Sequence, residues 1–116
     1  MMRLMLMPEL LVAGRMDNPQ MAVDALNKGT IDGVGLGRPL LSDPDYVNKL
    51  KDGSENLIRP CLGCHDGCFG RLLQSGLGSC AVNPECGRED TVGIVPAVDK
   101  KNVVIVGGGP AGLEAA

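Results

Sequence analysis

Aromatic side chains are nearly absent from this chain of 116 residues, which contains one Tyr, one Phe and no Trp. A hydrophobic core must therefore be built from Leu, Val, Ile, Met and Ala. Basic residues are not in excess either, because 11 Lys and Arg stand against 14 Asp and Glu and leave a net charge of −3. A basic surface that binds nucleic acid or an anionic membrane is thus not expected.

The sequence also lacks a long hydrophobic run. Its start, MMRLMLMPELLVAG, is apolar only from Leu4 to Met7 before Pro8 and Glu9 interrupt it. A membrane-spanning helix needs about 20 apolar residues, and a secretory leader ends in a small-residue cleavage pattern. Because this start shows neither feature, we expect a cytoplasmic protein without membrane contact. In that compartment, five cysteines indicate metal or redox chemistry rather than a disulfide framework.

Residues 8–53 follow a strand–helix–strand–helix pattern. The predicted strands are 10–13 and 31–38, and each ends in a Gly-Arg pair. A capping residue and a proline mark the start of each following helix, and a glycine marks its end: Asp17 or Asn18, Pro19 and Gly29 for the first, and Ser42 or Asp43, Pro44 and Gly53 for the second. Two strands joined by a helix predict a parallel α/β unit with exposed edges, hence a slice of a larger sheet or barrel.

The two Gly-Arg pairs, Gly14-Arg15 and Gly37-Arg38, stand where these parallel strands end. Ligands of α/β sheets and barrels bind at that edge. Glycine lets a backbone N–H approach a phosphate closely, and arginine can add a charge-assisted hydrogen bond. Their repetition in consecutive units predicts a phosphate site of the kind found after the last two strands of a (β/α)8 barrel.

Residues 54–90 carry the cysteines and little predicted regular structure. Cys61, Cys64, Cys68 and Cys80 have the spacing C-x2-C-x3-C-x11-C, which suits four-thiolate ligation of zinc or of an iron–sulfur cluster. Three cysteines so close together favour the cluster, because zinc sites usually pair two separated C-x2-C turns. Zinc and unligated thiols stay open as alternatives.

Two further residues near the four cysteines could in principle bind a metal, but neither is expected to be a ligand. Four cysteines already fill a metal site, so His65 is expected to face solvent or to form a hydrogen bond. Cys86 is expected to be a small buried residue in the turn 83–87.

Residues 102–116, NVVIVGGGPAGLEAA, follow a connector at 91–101 and begin with a predicted β-branched strand at 102–106. The strand runs into G-x-G-x-x-G and a helix, which is the context of a dinucleotide-binding fingerprint. In that fingerprint Gly107 makes the tight turn, Gly109 admits the pyrophosphate and Gly112 allows close packing of the helix.

Together these stretches resemble the multidomain branch of the old yellow enzyme family, which includes 2,4-dienoyl-CoA reductase, trimethylamine dehydrogenase and enoate reductase. The resemblance covers 11–116 through LVAGR, GVGLGRPLLSDPDYV, IRPCLGCHDGC, SCAVNPECGRE and NVVIVGGGPAGLEAA. It implies an α/β architecture: the C-terminal end of an FMN-binding (β/α)8 barrel, with its last two strand–helix units, in 1–53, a [4Fe-4S] cysteine loop in 54–90, a linker in 91–101, and the first strand–turn–helix of a Rossmann-like FAD-binding domain in 102–116.

The resemblance also implies which residues hold the cofactors, and it places no catalytic residue in the chain. The FMN phosphate would be held by Gly14, Arg15, Gly37 and Arg38. The [4Fe-4S] ligands would be Cys61, Cys64, Cys68 and Cys80. The FAD phosphate turn would be formed by Gly107, Gly109 and Gly112.

In enzymes of this family NAD(P)H reduces FAD, electrons pass singly through the cluster to FMN, and FMN reduces an activated C=C bond of a small molecule. Trimethylamine dehydrogenase is similar in build but runs its electrons outward. The chain is therefore expected to be a fragment of such an oxidoreductase, to require the remainder of the enzyme and to be inactive alone. A zinc-binding structural module and a non-catalytic truncated product are the alternatives.

Overall fold

The structure, a computed structural model, describes residues 9–74 and 76–116, so the apolar run from Leu4 to Met7 lies outside the described residues. Its fold class is α/β, as predicted. A 3-10 turn at Glu55–Leu57 and a π-helical turn at Asp66–Gly70 lie in the cysteine segment. The strands and helices are β1 (Leu11–Ala13), α1 (Pro19–Asn27), β2 (Gly33–Gly35), α2 (Arg38–Ser42), α3 (Tyr46–Lys51), α4 (Arg71–Leu73), α5 (Glu89–Val92) and α6 (Pro110–Ala115).

The first predicted unit forms as expected. β1 and β2 pair in parallel with Val12 opposite Val34, and α1 joins them. Asn18 rather than Asp17 caps α1, because its Oδ1 accepts a hydrogen bond of 3.0 Å from the Met21 N–H. Pro19 is the first residue of the helix, where its missing N–H has no intrahelical partner to lose.

The predicted second strand, 31–38, is too long. β2 ends at Gly35, opposite the last residue of β1, and Arg38 already begins α2. A strand extends only as far as its neighbour supplies backbone partners. Pro39 in the first turn of α2 has a φ suited to a helix, which favours the earlier helix start.

The predicted N-terminal caps of the second helix are wrong as well, whereas Gly53 follows its end as predicted, with φ +69°. Ser42 is the last residue of α2, and its hydroxyl donates to the Pro39 carbonyl at 2.8 Å. Asp43 is extended, with φ −142° and ψ 98°, because the proline that follows it disfavours the helical region. The next helix, α3, consequently begins only at Tyr46.

The predicted strand 102–106 is not formed within the described part of the chain. These residues lie in no strand, and Val104 and Val106 are 87% and 95% exposed. A strand takes its hydrogen bonds from a neighbouring strand, and none lies beside this segment in the residues that the structure describes. The helix predicted after it forms as α6.

Burial is sparse and concentrated in the middle of the chain. Within 9–74 and 76–116 the buried residues are Ser42, Asp43, Tyr46, Asn83 and Cys86. The radius of gyration, 18.7 Å, exceeds the value of about 13 Å expected for a compact chain of this length. Among the described helices, none combines the length and the apolar character needed to cross a membrane.

Candidate functional site

The two Gly-Arg pairs meet in one cavity at the ends of β1 and β2, which we call the strand-end pocket. It has a volume of about 240 Å³, and its lining includes Gly14, Arg15, Gly37 and Arg38. Pockets for whole organic ligands usually measure about 300–1,000 Å³. The strand-end pocket is thus of a size for a small group such as a phosphate rather than for a complete flavin.

The backbone at the first Gly-Arg pair is left-handed. Gly14 has φ +110° and Arg15 has φ +55°, a conformation that is uncommon for a residue with a side chain. The Arg15 Nε lies 3.6 Å from an Asp17 carboxylate oxygen. A Cβ placed on Gly63 would lie 2.8 Å from Arg15 Nη1, so this guanidinium reaches the cysteine loop.

The four predicted cysteines line a second cavity, which we call the cysteine pocket. Cys61, Cys64, Cys68 and Cys80 are all free thiols, of which Cys64 is exposed and the others are half-buried. Apolar side chains also line this pocket, among them Leu41. The fold thus brings together thiols that are up to 19 residues apart in the sequence.

The thiols do not converge on a single ion. No group of three or more His, Cys, Asp or Glu side chains within 9–74 and 76–116 is arranged to hold a metal ion. A zinc ion needs its thiolate sulfurs about 2.3 Å from one centre, whereas an iron–sulfur cluster has several irons that are each bound by separate thiolates. The donor set, four thiols on one pocket, fits the chemistry of an iron–sulfur cluster.

Cys86 lies outside the cysteine pocket and is buried, as expected from its turn. Burial raises the pKa of its thiol, and the neighbouring Cys80, Glu89 and Cys68 raise the pKa further. A raised pKa keeps the thiol protonated, and the thiolate is the form that ligates a metal. Cys86 therefore serves as a packed side chain beside the pocket.

Arg38 belongs to both pockets. Its Nη1 lies 2.5 Å from Nε2 of His65, and since a guanidinium can only donate, the imidazole nitrogen accepts. The His65 ring also meets Phe69 edge to face, with ring centroids 6.3 Å apart. The expectation that His65 forms a hydrogen bond is confirmed, but its partner was not foreseen.

Asp43 joins the start of the cysteine segment to α2 and α3. Its Oδ2 accepts from Lys49 Nζ at 2.6 Å and from the Arg59 N–H at 2.8 Å, and its Oδ1 accepts from the Asp45 N–H at 3.1 Å. Burial alone would raise the pKa of this carboxyl. The hydrogen bonds from Lys49 and Arg59, with the charge of Lys49, outweigh burial and hold the pKa below its ordinary value.

Arg59 and Asn83 extend this junction. Arg59 Nη1 donates to Asn83 Oδ1 at 3.1 Å, and Asn83 Nδ2 donates to the Leu41 carbonyl at 2.9 Å. Arg59 Nη2 lies 3.8 Å from a Glu114 carboxylate oxygen in α6. Sequence reasoning missed these residues, because polar side chains so far apart in the chain form no periodic pattern; the one available signal was the place of Arg59 just before Cys61.

The three glycines of the fingerprint line neither pocket. Gly107 has φ +119°, and the Gly109 carbonyl accepts the Leu113 N–H at 2.9 Å as α6 begins. A Cβ on Gly112 would collide with the Gly107 carbonyl oxygen. The local turn and the close approach of α6 therefore form without the strand that was predicted before them.

Comparison with known proteins identifies relatives, although no protein-family model matches the chain. A cinnamate reductase from Clostridium sporogenes is 49% identical over 107 residues, which are 92% of this chain and 16% of that protein. A 2-naphthoyl-CoA reductase structure superposes with a TM-score of 0.84 at 36% identity. A 6-hydroxypseudooxynicotine amine oxidase from Pseudomonas geniculata superposes with 0.82 at 34%. Both structural matches cover 93% of this chain and 17% of the other.

These relatives define the class: the chain corresponds to part of a larger oxidoreductase. It belongs to the multidomain old yellow enzyme family, as its motifs predict. The chain spans only 16% of the length of two curated relatives, this cinnamate reductase and a bilirubin reductase from Mediterraneibacter gnavus.

Proposed function

We propose that this chain is the part of an NAD(P)H-dependent flavin oxidoreductase that holds a [4Fe-4S] cluster between two flavin sites. The observation that carries the proposal is the cysteine pocket, where Cys61, Cys64, Cys68 and Cys80 lie together as free thiols. Four thiolates are the usual ligand set of such a cluster. The cluster, when bound, would supply one-electron transfer between the two flavins.

The chain's own residues would hold the phosphate of FMN on one side of the cysteine pocket. Gly14 and Gly37 leave room for the phosphate at the strand ends, and Arg15 and Arg38 would donate charge-assisted hydrogen bonds to its oxygens. The support for this assignment is that all four residues line the strand-end pocket, whose volume suits a phosphate group.

Further along the chain, the start of the FAD site would be formed by Gly107, Gly109 and Gly112. The positive φ of Gly107 and the close approach of Gly112 to its carbonyl support this assignment, because both features are required of the phosphate turn in dinucleotide-binding folds. NAD(P)H and the substrate would be bound by the remainder of the enzyme.

For the whole enzyme we propose reduction of an activated C=C bond in a small molecule of the enoate or dienoyl-CoA type. The cinnamate reductase and the 2-naphthoyl-CoA reductase support this reaction class. The amine oxidase supports a second candidate, oxidation of an amine with electrons passed outward. The cysteine pocket serves both directions of electron flow.

Anaerobic reconstitution with iron and sulfide tests the proposed ligands. The parent chain is expected to take up iron and acid-labile sulfide in about equal amounts and to gain visible absorbance. Cys61→Ser and Cys80→Ser should lower both contents, because each removes a thiolate from the pocket. Cys86→Ala is the matched control, since it removes a buried thiol outside the pocket, and it should keep the parent's contents.

Two outcomes would contradict the proposal. If Cys61→Ser and Cys80→Ser bind as much iron and sulfide as the parent, the assigned ligands are wrong. If protein purified without oxygen contains one zinc and no acid-labile sulfide, the cysteines form a zinc-stabilised structural module instead.

A further inference from the structure

One charged side chain belongs to both candidate sites. Arg38 begins α2, lines the strand-end pocket and also lines the cysteine pocket. It is half-buried, so its charge is screened less by salt than that of a fully exposed arginine. A guanidinium at this position acts on the cysteine pocket as well as on an anion bound at the strand ends.

No carboxylate neutralises this charge among the described residues. The ion pairs found there join Arg15 to Asp17, Lys49 to Asp43 and Arg59 to Glu114. The polar side-chain partner of Arg38 is the His65 imidazole, which accepts through Nε2. An accepting imidazole nitrogen carries no negative charge, so no side chain of the described residues neutralises the positive charge of Arg38 beside the four thiols.

His65 holds Arg38 from within the cysteine loop. It lies between Cys64 and Cys68, and its backbone is left-handed with φ +61°. Its ring is also placed against the edge of Phe69. Residues held in such backbone conformations concentrate at functional sites, where the surrounding structure maintains them. The loop conformation thus points the imidazole at Arg38, 27 residues earlier in the chain.

We propose that the Arg38–His65 pair raises the reduction potential of the cluster held by the cysteine pocket, an inference that rests on the proposed function. Reduction adds one electron and no proton to a centre that four thiolates already make negative. A nearby positive charge stabilises the more negative, reduced form. Arg38 supplies that charge, and His65 is the positioning residue that keeps it against the cysteine loop.

A redox titration of the reconstituted chain tests the role of Arg38. Arg38→Gln should make reduction about tenfold less favourable, which is a shift of about 59 mV to a more negative potential for one electron. Arg38→Lys keeps the charge and should shift the potential by less than Arg38→Gln. Lys101→Gln is the matched control, because it removes the same charge from an exposed residue outside both pockets.

His65→Asn tests the positioning role. Asparagine tolerates the left-handed backbone but is too short to replace the imidazole as the acceptor for Arg38, so the potential should move in the same direction as in Arg38→Gln. His65 is also the only histidine of the chain. Its 15N resonances in the iron-free protein therefore report the contact directly: Arg38→Gln should move the Nε2 resonance, and Lys101→Gln should leave it in place.

The results separate this inference from the proposed function. A parent chain that takes up no iron and sulfide overturns the cluster itself, and the role of the pair with it. If the parent assembles the cluster and its reduction potential equals that of the Arg38→Gln variant, only the role of Arg38 is overturned. A His65→Asn variant at the parent's potential, or an unmoved Nε2 resonance in Arg38→Gln, overturns the positioning role of His65.

Discussion

At the scale of single residues, left-handed backbone marks the two candidate pockets. Within 9–74 and 76–116 the non-glycine residues with positive φ are Arg15, at +55°, and His65, at +61°. Arg15 lies in the strand-end pocket and reaches over Gly63, while His65 lines the cysteine pocket and contacts Arg38. The strand-end loops and the cysteine loop therefore contact each other through both left-handed residues, Arg15 and His65.

Gly63 is the residue on which this contact depends most directly. Its φ is +69°, and a Cβ there would meet the Arg15 guanidinium. We expect Gly63→Ala to destabilise the cysteine loop by about 1–2 kcal/mol, the cost of the left-handed conformation for a residue with a Cβ. Amide hydrogen exchange of residues 61–68 measures the change. Gly108→Ala, at a glycine with open space around it, should leave that exchange as in the parent; equal exchange in both variants would contradict the prediction.

At the scale of elements, polar contacts rather than apolar packing hold the cysteine segment to α2 and α3. Asp43 accepts hydrogen bonds from Lys49 and from the Arg59 backbone, and Asn83 bonds to the Leu41 carbonyl. The Tyr46 hydroxyl in turn donates to the Asp17 carbonyl at 2.9 Å and ties α3 to the loop before α1. The stability of this junction should therefore depend on the ionisation of its one buried carboxyl.

The junction should weaken in acid. Because the folded-state pKa of Asp43 lies below its ordinary value, about 3.9, its ionised form contributes stability above about pH 4. That contribution is lost as the pH falls through the folded-state pKa. Exchange protection of the Arg59 and Asp45 amides should thus drop between pH 6 and pH 3.

Substitution of Asp43 checks the cause of this pH dependence. Asp43→Asn should lower the free energy of opening at pH 6 by about 2 kcal/mol, the worth of a hydrogen bond to a charged group, and should remove most of the pH dependence. Asp52→Asn, at an exposed carboxylate, serves as the control and should preserve it. A pH dependence that survives in Asp43→Asn would assign the effect to another group.

At the scale of the whole molecule, the described chain leaves much apolar surface uncovered. Leu77, Ile94, Val98 and Val106 are each more than three-quarters exposed. Exposed apolar surface on this scale marks contact with other protein surface. It agrees with a chain that corresponds to 16% of its curated relatives, and we expect the missing contacts to come from the remainder of the enzyme.

Hydrogen exchange over the isolated chain tests this view of its stability. None of the backbone hydrogen bonds between described residues involves 102–106, so the amides of Val103, Val104 and Val106 should exchange at the rates of an unfolded chain. The Gly33 amide of β2, which donates to the Leu10 carbonyl at 3.3 Å, should be protected more strongly. Equal protection of the two segments would show that 102–106 pairs with a strand after all.

Much of the local structure follows from short-range signals in the sequence. Asn18 and Pro19 predict the start of α1, and the glycines predict the turn before α6, because caps and left-handed positions depend on neighbouring residues. The predictions fail at 31–38 and at 102–106. There the outcome depends on whether another strand lies alongside, and adjacent residues carry no information about that.

The sequence by itself determined which residues are the candidates for each site: the four cysteines with their spacing, the two Gly-Arg pairs and the fingerprint glycines. Residue type and order along the chain are enough to identify them. Only the tertiary structure decided that Arg38 lies between the two pockets and bonds to His65, and that Asp43, Arg59 and Asn83 form the junction. Contacts between side chains distant in sequence depend on how the intervening segments fold, and no periodic pattern records them.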